Sequence, residues 1–63
     1  MQKYVIYDVT KEELEILERE GFEFFEELPY LGSKNWNVYF KCDKQYFDMA
    51  LHAIRRTDYI RPL

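Results

Sequence analysis

The chain has 63 residues, of which 48% are hydrophobic, 33% charged and 19% aromatic, with a net charge of −3, two glycines, two prolines and one cysteine. This length holds one domain, spanning 1–63, and no second core, and the hydrophobic share argues against a disordered chain. A lone cysteine excludes an internal disulfide and a zinc site built on cysteines. No apolar run approaches the roughly 18–20 residues of a membrane span, and no basic-then-apolar leader opens the chain, so a cytoplasmic protein without metal or cofactor is expected.

Lys3–Val9 is dense in β-branched and aromatic residues and reads as a strand. Thr10-Lys-Glu-Glu13 matches a capping box, with Val9 and Leu14 placed as a hydrophobic staple around it. Gly21, followed by the apolar Phe22, has the chemistry of a helix C-terminus, so a helix is predicted from Lys11 to Glu20 with Leu14 and Leu17 facing the core. Phe22–Leu28 alternates on Phe22, Phe24 and Leu28 and suits a half-buried strand that Pro29 stops. Tyr30 to Asn35 contains Gly32, Ser33 and Asn35, the residues of a turn. Trp36–Cys42 alternates again on Trp36, Val38, Phe40 and Cys42. Asp43 is placed to cap a second helix, whose apolar stripe is Phe47, Ala50, Leu51 and Ile54. Asp58–Arg61 is read as a short last strand.

The order βαββαβ predicts a small ferredoxin-like split βαβ fold, an antiparallel sheet with two helices on one face; βαββα with an irregular tail is the alternative. A domain of about 60 residues buries only roughly 60% of its unfolded surface. With no disulfide or metal available, the six tyrosines, five phenylalanines and one tryptophan must supply the core, and self-association is the other remedy.

With Val5, Tyr7 and Val9 pointing at the helices, period-two alternation sends Tyr4, Ile6 and Asp8 to the opposite face. The same rule turns Phe25 and Tyr39 outward. Tyr4, Ile6, Phe25 and Tyr39 are therefore expected to form an apolar patch on the open sheet face, with Tyr30 and Leu31 of the 29–35 loop as further contact anchors. A one-residue slip would exchange the faces.

Charge is segregated: residues 1–31 carry nine carboxylates against three cations, and residues 32–63 carry six cations against three carboxylates. Net acidity argues against general nucleic-acid binding, because phosphate neutralisation supplies most non-specific affinity. Lys3, Lys41, Arg55, Arg56 and Arg61 are nevertheless the cations that a single-stranded nucleic acid would use alongside the same aromatics. Trp36–Cys42 lacks the glycine-containing aromatic signature of RNA-binding sheets.

A catalytic kit is missing. His52, the only histidine, follows Asp48 at the spacing of an ordinary exposed helical pair. Cys42 alternates with inward residues, and the helical glutamates lack the pattern of a calcium loop. The expected function is a small non-enzymatic, cytoplasmic regulator or inhibitor. It would bind another protein, a second copy of itself or both, with nucleic acid the less favoured partner and no membrane or metal involved.

Overall fold

The computed structural model describes residues 2–56, so the strand expected at Asp58–Arg61 lies outside the described residues. The chain runs β1 (Gln2–Val9), α1 (Lys11–Arg19), β2 (Phe25–Glu27), β3 (Trp36–Cys42) and α2 (Lys44–Ala53). It is a small α+β fold whose three strands pair antiparallel in the order β1-β3-β2.

The helix boundaries follow from local chemistry. At the start of α1 the Thr10 hydroxyl accepts from the Glu13 N–H at 3.2 Å, and the Glu13 carboxylate accepts from the Thr10 N–H at 3.0 Å. Both orphan donors are thereby satisfied. At its end Gly21 adopts φ 84°, which lets the Gly21 N–H reach the Glu18 carbonyl and the Phe22 N–H reach the Leu17 carbonyl, both at 3.1 Å. This is a Schellman closure, and only a residue without a Cβ takes that φ freely. Asp43 caps α2 by accepting from the Tyr46 N–H at 2.9 Å. That helix also ends in a Schellman closure, through Arg55 N–H to His52 and Arg56 N–H to Leu51, but Arg55 occupies the left-handed position at φ 60°.

One face of the sheet and both helices share a single core: Tyr4, Ile6 and Val9 from β1, Val38, Phe40 and Cys42 from β3, Leu14 and Leu17 from α1, and Phe47, Ala50, Leu51 and Ile54 from or just after α2. Aromatic rings carry much of it. Phe40 packs on Phe47 at 5.5 Å and on Phe24 at 5.8 Å between centroids, and Tyr4 stacks on Phe47 at 4.4 Å. Such pairs contribute about 0.5–1.5 kcal/mol each beyond their buried area, which offsets the small size of the core.

Two expectations are corrected. Tyr4 and Ile6 are 3% and 0% exposed and belong to the core, so they face the helices and not the open side. The physical reason is a β-bulge. Ile6 pairs with Val38 and Val9 pairs with Trp36, so β1 spends three steps where β3 spends two. Asp8 absorbs the extra residue at φ 55°. The bulge puts Val9 inward, as expected, but reverses the alternation of everything before it. Tyr4 tolerates burial because its hydroxyl donates to the Gln2 side chain. The second correction concerns the segment after α1. Only Phe25–Glu27 is strand; Phe22 closes the helix and packs edge-on against Tyr46, and Leu28 is exposed where an inward side chain was expected.

Candidate functional site

The open face of the sheet is built in rows. Lys3 on β1 lies opposite Lys41 on β3, and the next row runs Val5, Tyr39, Phe25 across all three strands. Val5 is buried there, outside the helix-side core, while Phe25 is 74% exposed. The Tyr39 hydroxyl donates to the Glu27 carboxylate at 3.0 Å, and this bond to an anion raises the phenol above its ordinary pKa. Lys3, Lys41, Phe25 and Tyr39 line a depression of about 310 Å³.

Exposed apolar side chains follow along the chain from Phe25. Phe25, Leu28, Tyr30 and Leu31 are four of the six large hydrophobic residues most exposed among the described residues, with Tyr7 and Met49 the others. The segment is exposed for a local reason. Pro29 takes the chain out of the sheet, and the Ser33 N–H closes a turn onto the Tyr30 carbonyl at 3.1 Å. Gly32 supplies positive φ within that turn and leaves Leu31 fully exposed at its tip. The four-residue spacing from Phe25 to the turn is legible in the sequence, yet Leu28 was assigned inward because alternation was carried one step past the strand's end.

Beside the start of β2 lies a larger groove of about 850 Å³. Phe22, Phe24 and Phe25 line it together with the carboxylates of Glu18, Glu23 and Glu26 and the side chain of Lys41. None of these three carboxylates makes an ion pair among the described residues. The run Phe22-Glu-Phe-Phe-Glu26 was the available signal for this surface, but it reads equally well as a plain half-buried strand.

The expected basic cluster divides. Arg56 is committed inside the fold: its guanidinium donates to both oxygens of Glu13, at 2.9 and 2.7 Å, to the Tyr7 carbonyl at 2.7 Å and to the Asp8 carbonyl at 2.5 Å. Four of its five N–H donors are thereby engaged within the fold. Arg55 is exposed, Arg61 lies outside the described residues, and Lys3 and Lys41 stay on the open face.

His52 is exposed on α2. Asp48, one turn earlier, pairs with Lys44 at 3.0 Å. Burial, then the Asp43 charge, pushes the Cys42 thiol above its ordinary pKa, which disfavours the reactive thiolate. Among the described residues no three His, Cys, Asp or Glu side chains gather as metal ligands, and no helix is long and apolar enough to cross a membrane. Comparison with protein-family models, with curated proteins and with solved structures gave no match.

Proposed function

We propose that this chain is a small non-enzymatic protein-contact module, a regulator or inhibitor that acts by covering part of a partner and that also associates with itself. The observation that carries the reading is the concentration of exposed apolar bulk between Phe25 and Leu31. A small protein gains nothing for its own core from these side chains, and contiguous exposed apolar surface marks contact sites. Phe25, Tyr39, Tyr30 and Leu31 carry the contact in this reading, joined by the exposed Leu28; Tyr4 and Ile6 support it only by packing the sheet from behind. The strands on either side of α1 are separated by β3, as in a ferredoxin-like split βαβ unit, and that arrangement leaves one sheet face open for docking.

Light scattering across a tenfold concentration range tests self-association. The mass is expected to rise toward two chains, and the double variant Tyr30→Ser/Leu31→Ser is expected to return it to one, because loss of two exposed anchors weakens an interface by about tenfold or more. A wild-type mass fixed at one chain removes self-association from the proposal.

A second reading has its own observation: Lys3 and Lys41 sit directly opposite each other, a repulsive cross-strand pair, beside Phe25 and Tyr39. That arrangement suits single-stranded nucleic acid, with phosphates on the lysines and bases on the rings. Binding to an oligothymidylate that weakens steeply with salt would favour it; salt-insensitive association favours the protein contact.

A further inference from the structure

The groove beside β2 goes further, because its shape and charge describe an occupant. Strand β2 ends the order β1-β3-β2, so its outer backbone groups have no strand partner among the described residues. Such an edge is a template for an added strand. Alternation places Phe25 on the open side of that edge, while Glu26, opposite Val38, points to the helix side, where Glu18 on α1 also lines the groove. Phe22, Phe24 and Phe25 give the groove apolar walls, and three carboxylates against the single cation Lys41, which shares the open face with Phe25, leave it net acidic on the helix side.

A second copy fits this edge poorly. Edge-to-edge addition of an identical strand would bring Glu26 and Glu27 of one copy against the same acidic edge of the other, and like charges across strands are repulsive. We propose that the groove instead receives an extended segment of a different protein, one that alternates lysine or arginine with apolar residues and pairs as a further strand on β2. Its cations lie on the helix side against Glu18, Glu23 and Glu26, and its apolar residues lie on the open side beside Phe25. The inference rests on the protein-contact reading and supplies the chemistry of the partner.

The test titrates the full, isotope-labelled chain with a short synthetic peptide alternating lysine and valine, following backbone amides by NMR. The controls are the same peptide with glutamate for lysine, and a version N-methylated on alternate amides so that it cannot complete a strand ladder. The lysine peptide is expected to bind with a Kd below about 1 mM and to shift amides within Phe22–Glu27. The triple variant Glu18→Gln/Glu23→Gln/Glu26→Gln is expected to weaken it by about tenfold, the sum of three exposed ion pairs, with the rest of its spectrum unchanged. Loss of binding with both controls supports strand addition directed by charge. The inference is overturned by no saturable shift, by shifts confined to other residues, by undiminished binding to the triple variant, or by equal binding of the N-methylated peptide. If the peptide fails while Tyr30→Ser/Leu31→Ser still dissolves the self-association, the groove proposal falls alone. Failure of both removes the contact reading itself.

Discussion

Arg55 holds a conformation that suits a different residue. Its φ of 60° closes α2 in the way that Gly21, at φ 84°, closes α1, but an L-residue with a Cβ is strained there. Arg55→Gly is therefore expected to stabilise the fold by about 0.5–1 kcal/mol, the strain relieved less the added freedom of the unfolded chain. The midpoint of urea unfolding should rise at an unchanged slope. Gly21→Ala should move it the other way; nothing lies within 4 Å of the added methyl, so its cost comes from the backbone alone. A lower midpoint for Arg55→Gly would mean that the exposed guanidinium does something for the fold beyond ending the helix.

At the scale of elements, the Glu13–Arg56 pair joins three of them. The carboxylate that closes the capping box of α1 also receives the guanidinium that follows α2, and that guanidinium holds the two carbonyls at the bulge of β1. Burial alone would raise the Glu13 pKa, but the hydrogen bonds from Arg56 and Thr10, with the Arg56 charge, outweigh it and hold the carboxyl below its ordinary value. A depressed acid stabilises the fold above its unfolded pKa, about 4.3 for glutamate, and that contribution is lost as pH falls through the lower folded value. Glu13→Gln should cost about 1–2 kcal/mol at neutral pH, as expected for a charge-assisted pair at a partly buried site. The difference from wild type should shrink on acidification. Parallel stability curves down to acid pH would assign the acid sensitivity to other carboxylates. The helices themselves were readable in advance, because caps, staple and stripe all act within a few residues of each other. This pair was not, since its members stand 43 positions apart and the spacing of Arg56 fits the outer face of α2 equally well.

The whole molecule shows where local patterns lose their grip. Strand β3 has one apolar phase, and its inward residues Val38, Phe40 and Cys42 follow from alternation alone. Strand β1 is apolar in both phases, so Tyr4-Val5-Ile6-Tyr7 offers no inside and outside, and the choice passes to whichever neighbour anchors the count. The bulge lies between Val9, which faces inward, and the residues before it, so one unbroken alternation cannot serve both. The candidate surface fared accordingly. Phe25, Tyr39, Tyr30 and Leu31 sit outward as their own segments dictate, while Tyr4 and Ile6, placed by counting through the bulge, do not. The same irregularity makes one position in β1 dispensable. Removing Asp8 would leave Ile6 and Val9 two steps apart, like Val38 and Trp36 opposite them, so the ladder would close without a flaw and both side chains would still point inward. The shortened chain should fold, at a cost of about 1–3 kcal/mol for the hydrogen bonds Arg56 then forgoes. Removing Val5 instead would turn Tyr4 out of the core and leave Phe47 without its stacked ring. Length variation along this strand is thus confined to a single site, the spare residue through which β1 accommodates both the sheet and the helix that follows it.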